Sequence, residues 1–204
     1  MNTVQPFLAG LADFVRQFQR NPFDFLYERD LQAMLFASVF RQLEAYPVTM
    51  YGGVHPPAAY GGQTFIKTNP VKCEYPNFAL FDVALIDESS VEHYDSTNWK
   101  REGWQNDRFW NQRIRAAIEL KYLQLGDIPT DKAAKFEQDL RKLASYRDRN
   151  GDRPFLGIAV VFVQSAYLDS KVFFVDQPLA ASERPETGIF RYVVTPTSDQ
   201  WQSA

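Results

Sequence analysis

Glu119 and Lys121 stand two residues apart on one apolar segment, a spacing that lets a carboxylate and an ammonium act on the same bound water. In Arg113-Ile114-Arg115-Ala116-Ala117-Ile118-Glu119-Leu120-Lys121-Tyr122-Leu123, strand alternation puts Ile114, Ala116, Ile118 and Leu120 on one face. Arg113, Arg115, Glu119 and Lys121 take the other. Residues two apart stand about 6.5 to 7 Å apart along a strand, within joint reach of one water. An edge strand with a solvated face shows the same alternation, so the pattern needs company. It has it in Phe78-Ala79-Leu80-Phe81-Asp82-Val83-Ala84-Leu85-Ile86, an apolar run with one carboxylate at its centre. A charge there is costly unless it is paired, neutralised or bound to a metal. A third carboxylate, Glu28, lies three, seven and eleven residues before Leu31, Leu35 and Val39, in line with a helix's apolar stripe. Its place near the helix start also suits the positive end of the helix dipole.

The elements that must position these groups follow from periodicity. Phe7, Leu11, Phe14 and Phe18 predict a helix over Thr3–Arg20, ended by Asn21-Pro22. A second helix is expected from Asp24, as N-cap, to about Ala45, with Leu31, Leu35, Val39 and Leu43 buried and Pro47 closing it. Paired glycines and prolines between Tyr51 and Gly62 predict a loop. Strands are expected over Gln63–Thr68, Phe78–Ile86, Ile114–Leu125, Phe155–Gln164, Lys171–Val175 and Ile189–Thr195. A third helix is expected over Asp131–Arg149, capped by Thr130, with Ala133, Phe136, Leu140 and Leu143 inward and Asn150-Gly151 as its stop. The order is that of an α/β layered domain, with the last ten residues as a loose tail. We expect a single domain over 1–204: N-terminal helices at 3–46, a core at about 63–164 and C-terminal strands at 171–195.

Composition narrows the chemistry. A chain of 204 residues, 45% of them hydrophobic, can bury about 70% of its unfolded surface in one core. The longest apolar run, Phe155–Val163, is far shorter than the roughly 20 residues of a membrane span, and no charged segment with an apolar signal core opens the chain. A cytoplasmic protein that does not enter the membrane is expected. One cysteine, Cys73, and two histidines, His55 and His93, exclude an internal disulfide and a Cys/His zinc cluster. A net charge of −3 argues against a protein that coats nucleic acid, though not against one that cuts it. Lys132, Lys135, Arg141, Lys142, Arg147, Arg149 and Arg153 bias the third helix towards positive charge, as a solvated face also would. Trp99, Trp104 and Trp110, among Lys100, Arg101 and Arg108, read either as a base-stacking loop or as an aromatic cluster pinning an insertion.

The three acidic elements together resemble the PD-(D/E)xK nuclease superfamily. A helix carries an inward Glu in Tyr27-Glu28-Arg29-Asp30, a strand carries Phe81-Asp82, and the next strand carries Glu119-Leu120-Lys121 ahead of a helix. The resemblance covers Glu28 to about Val163 and rests on the joint order of short motifs. Phe81 replaces the proline of the motif's name, and proline supplies no ligand. Gln124 stands where some members carry a further glutamine, but alternation puts it on the face opposite Glu119. The resemblance implies a restriction-endonuclease-like core, a central mixed sheet flanked by helices. It implies Mg²⁺, with Mn²⁺ as substitute, on Asp82 and Glu119, with Glu28 at a second metal or its waters. Lys121 would then orient or deprotonate the water that attacks the phosphodiester. DNA is the implied substrate, and a homodimer is compatible with it. Two alternatives stand beside this. One is a catalytically idle module of the same fold that binds nucleic acid or a protein partner. The other is an unrelated α/β domain, which predicts that Glu28, Asp82, Glu119 and Lys121 lie scattered.

Overall fold

The computed structural model describes residues 3–43, 46–49, 65–68, 70–76, 78–87, 113–174 and 187–204. Helix α1 (Val4–Arg20) buries Phe7, Leu11, Phe14 and Phe18, and the Asn21 amide closes it on the Phe18 carbonyl. Helix α2 (Glu28–Gln42) buries Leu31, Leu35 and Val39. The two cross so closely at Gly10 that a Cβ there would lie 2.5 Å from the Val39 Cα. Ser38 Oγ donates to the Gly10 carbonyl at 2.9 Å and fixes the crossing. Helix α2 starts four residues later than expected, because Pro22–Asp24 forms a separate 3-10 turn. Tyr27, and not Asp24, is its N-cap, and Asp30 inside the first turn completes a capping box, its Oδ2 accepting from the Leu26 and Tyr27 amides, both at 2.9 Å.

Strands β1 (Tyr46–Thr49) and β2 (Phe65–Thr68) form an antiparallel pair. A six-stranded mixed sheet follows, in the order β3 (Val71–Tyr75), β4 (Phe81–Ile86), β5 (Ile114–Leu123), β6 (Leu156–Val163), β7 (Gly188–Val194) and β8 (Asp199–Ser203). Neighbours β3 to β5 are antiparallel, β5 to β7 parallel, and β7 with β8 antiparallel. Parallel pairing needs a crossover, and helix α3 (Pro129–Arg149) carries the chain from β5 to β6. Helices α1 and α2 cover one face of the sheet in a cluster with Val83, Ile118, Leu120 and Phe162, while α3 covers the other with Phe81, Ala117, Leu123 and Val161. The class is therefore α/β, with the mixed sheet flanked by helices on both faces. No described helix is long and apolar enough to cross a membrane.

Several sequence expectations change. Strands β1 and β3 were not expected; β1 lies directly after α2, which stops at Gln42 and not at Ala45. Lys171–Phe173 is a 3-10 turn and not a strand; within it only Phe173 is buried, and Asp169 Oδ1 takes the Lys171 amide. The expected tail folds as β8, because Trp201 stacks on Tyr192 with ring centroids 4.0 Å apart. Helix α3 begins at Pro129 with Ile128 as N-cap, and Thr130 lies inside it. Ile114 belongs to the α3-side cluster and not with Ala116 and Ile118, since the β4–β5 register shifts between Leu85 and Ile86. The stretches 51–62 and 88–112, expected from the sequence to be loops and holding His55, His93, Trp99, Trp104, Trp110, Lys100, Arg101 and Arg108, lie outside the described residues.

Candidate active site

Strand β5 lies inside the sheet with both faces covered, so the alternation at Glu119 and Lys121 is not that of a solvated edge. Its pairing with β4 runs from Ile86↔Ile114 to Val83↔Ile118, while β5 continues to Leu123. Beyond Ile118 the backbone donors facing β4 still need partners. Two of the expected carboxylates supply them. Asp82 Oδ2 accepts from the Leu120 amide at 2.7 Å, and Glu28 Oε2 from the Tyr122 amide at 3.1 Å. Glu28 and Asp82 thus sit side by side on the opened edge of β5, one from the start of α2 and the other from β4.

The turn ahead of Asp82 is tight. Ala79 and Leu80 amides both donate to the Pro76 carbonyl, at 2.9 and 2.7 Å, and Leu80 takes a φ of +51°. A left-handed non-glycine residue costs roughly 1 to 2 kcal/mol. The conformation presents the Leu80 carbonyl to Lys142 Nζ at 3.0 Å.

Glu119 is the most enclosed of the set, its side chain 4% exposed, and Lys142 Nζ meets its Oε1 at 2.5 Å. Burial pushes the Glu119 carboxyl up to about 8; Asp82 and Asp139 push the same way, and Lys142 offsets part. Lys121 Nζ lies 2.7 Å from Asp139 Oδ2 and 3.6 Å from Glu28 Oε1, and donates to the Leu120 carbonyl at 3.0 Å. Burial alone would lower the Lys121 pKa, but Asp139, Glu28 and Asp82 outweigh it and raise it, so Lys121 is held as an ammonium. Asp82 is raised by burial and by Glu28 and Asp139, against the Leu120 amide and Lys121. Asp139 is raised by burial, against the pull of Lys121 and Lys142.

Lys121 meets Glu28 directly, and Asp82 lies near enough to act electrostatically on Glu119, Lys121 and Glu28, so the four expected residues are neighbours and not scattered. Glu28 is less buried than its alignment with the stripe implied, with 39% of its side chain exposed. Gln124 stays apart: its Nε2 donates to the Leu26 carbonyl at 2.5 Å. Two members were not anticipated. Asp139 and Lys142, one turn apart on α3, reach across the sheet face to Lys121 and Glu119. Of the other basic residues of α3, Lys132 pairs with Asp127 at 3.4 Å and Arg147 with Asp148 at 3.0 Å, away from the site.

Four carboxylates against two lysines leave the cluster short of positive charge. Glu119 Oε1 and Asp139 Oδ2 are buried and take no well-angled hydrogen bond, only the ion pairs just given. Oxygen donors in a negative, partly dry setting suit a hard divalent cation. Among the described residues no three His, Cys, Asp or Glu side chains form a ready shell. No protein-family model, no curated protein and no solved structure matches this chain.

Proposed function

We propose that this chain is a divalent-metal-dependent nuclease of the PD-(D/E)xK kind that hydrolyses phosphodiester bonds of DNA. The observation that carries the reading is the meeting of Glu28, Asp82, Glu119 and Lys121, from three separate elements, where β5 outruns β4. The order of α2, the antiparallel strands β3 to β5, crossover α3 and parallel β6 is read as the restriction-endonuclease-like core.

In this reading Asp82 and Glu119 would hold Mg²⁺, or Mn²⁺ in its place, with Glu28 serving a second metal or its waters. When bound there, such an ion would supply Lewis-acid polarisation of a phosphate and lower the pKa of a water. Glu119 must give up its proton to serve, and that proton leaves a carboxyl titrating at about 8. Lys121, held as an ammonium by Asp139 and Glu28, is a poor base. It orients the water and stabilises the negative charge that grows on the phosphoryl oxygens. Water adds to phosphorus, one ester P–O bond breaks, and the products are a phosphate monoester and a free hydroxyl. The water's proton passes to solvent, and the leaving oxygen regains one from solvent.

The test is cleavage of single-stranded, duplex and branched DNA, and of RNA, with Mg²⁺ or Mn²⁺. Lys121→Ala should lower cleavage by roughly 10²-fold or more while leaving metal binding largely intact. Asp82→Ala should weaken metal binding, with partial rescue by excess Mg²⁺. Equal cleavage by wild type and Lys121→Ala rejects the role of Lys121. Nucleic-acid binding without cleavage of any substrate favours the idle module.

A further inference from the structure

A cavity of about 330 Å³ opens beside the site, lined by Phe78, Ala79, Lys142, Ser145, Tyr146 and Arg149. Its volume lies in the range of pockets that hold a small organic ligand. One wall is aromatic. Phe78 stacks on Tyr146 with centroids 5.9 Å apart and planes within 13°. Tyr146 is itself immobilised, its hydroxyl accepting from the Ile114 amide at 3.0 Å and its ring edge-on to Phe81. Phe78 is nevertheless 56% exposed, so a rigidly backed ring offers itself to the cavity. One face of the ring packs on Tyr146, and the exposed remainder faces outward.

The other wall is cationic and polar. Lys142, Ser145 and Arg149 lie three and four residues apart, along one side of α3. Lys142 marks the inner end, where its ammonium touches Glu119 and lies over the Phe81 ring at 5.0 Å. Arg149 marks the outer end, about 10 Å further along the helix axis. Arg149 has no ion-pair partner among the described residues. The cavity therefore begins at the proposed scissile position and leads outward between an aromatic face and two cations.

We infer that this cavity is a nucleotide subsite for the strand being cut, holding an unpaired base on Phe78 and its backbone phosphates between Lys142 and Arg149. The inference rests on the nuclease reading and adds the form of the substrate. A base stacked flat on Phe78 cannot remain stacked in a continuous duplex, so the site takes single-stranded or splayed DNA next to the scissile bond. Stacking of this kind tolerates any base, because every base presents a π-face, whereas phosphate contacts make binding fall with salt.

The experiment measures binding in EDTA, where no cleavage complicates the readout. A short labelled oligothymidylate and a blunt duplex of the same length are titrated with wild type, Phe78→Ala, Phe78→Trp and Arg149→Met, and folding is checked by circular dichroism. Phe78→Ala should weaken single-strand binding roughly tenfold and leave duplex binding nearly unchanged. Phe78→Trp should keep wild-type affinity. Arg149→Met should flatten the dependence of log K on log salt by about 0.7 on the single strand. Equal affinities for wild type and Phe78→Ala overturn the subsite while leaving the nuclease reading intact. Equal losses on single strand and duplex overturn the unpaired base. A wild type that binds neither probe overturns the subsite, while the nuclease reading stands or falls separately on metal-dependent cleavage.

Discussion

Glu119→Gln is expected to stabilise the folded protein while silencing the site. The carboxyl titrates at about 8 in the fold, against an ordinary value of 4.5, chiefly because it is buried and beside Asp82. A folded-state pKa above the unfolded one means that the native state holds the proton more tightly. The resulting stability is fully present below about pH 4.5 and is lost as pH rises through about 8. At 1.36 kcal/mol per unit, the loss between pH 5 and pH 8 is about 3 kcal/mol. That is a large share of the 5 to 15 kcal/mol that keeps roughly any domain folded. Solvent screening removes little, since only 4% of the side chain is exposed. Glutamine keeps the shape and has no charge to bury, and Lys142 retains the Leu80 carbonyl and the Phe81 ring as partners. The assay is urea unfolding followed by fluorescence, in EDTA, for both proteins across pH 5 to 8. The curves of unfolding free energy against pH should diverge, with the variant gaining about 3 kcal/mol on wild type by pH 8. Parallel curves refute the argument, and so does a variant that loses ground as pH rises.

Two further outcomes follow from the geometry. Gly10→Ala places a methyl 2.5 Å from the Val39 Cα, against backbone that cannot swing aside; overpacking of this kind costs about 1 to 3 kcal/mol and should lower Tm by several degrees in a thermal melt, and an unchanged Tm refutes the close crossing. Asp139→Asn removes the nearest charge that keeps Lys121 an ammonium; cleavage should fall roughly tenfold and the alkaline limb of its pH profile should move to lower pH, whereas a fall with an unshifted profile reduces Asp139 to a structural residue.

Much of the frame was legible because periodicity reports burial. Phe7, Leu11, Phe14 and Phe18 recur at helical spacing, and the apolar run Phe155–Val163 reads as a strand; β6 is buried at every position, as a strand covered on both faces must be. What escaped depended on partners remote in sequence. Strand β8 has no strong apolar alternation and is held by Trp201 against Tyr192 and by Tyr192 Oη donating to Asp199 at 2.7 Å. Lys171–Val175 looked like a strand by composition, but the Lys171 amide bonds Asp169 Oδ1 and the Phe173 amide the Ser170 carbonyl, which closes Lys171–Phe173 into a 3-10 turn. The flip of Ile114 came from a register irregularity with β4, which no pattern within β5 could announce.

The site shows the same division at finer scale. Glu28, Asp82, Glu119 and Lys121 were identifiable because each charge interrupts, or sits in register with, an apolar pattern. Asp139 satisfies the same criterion: it lies three residues after Phe136 and four before Leu143, on the inner stripe of α3 beside Leu140. The charged residues around it made the helix read as a solvated face, and that averaging hid it. Lys142, at the flank of the stripe, is different in kind. Nothing in its neighbourhood distinguishes it from Lys132 or Lys135, and its place on Glu119 is set by how α3 lies across β5. A carboxylate inside an apolar pattern is conspicuous because burying it costs so much. A lysine is inconspicuous because its long stem lets the ammonium reach a buried partner from a residue that is itself half exposed. Chemistry supplied by such side chains becomes visible only once the packing of the helix on the sheet is known.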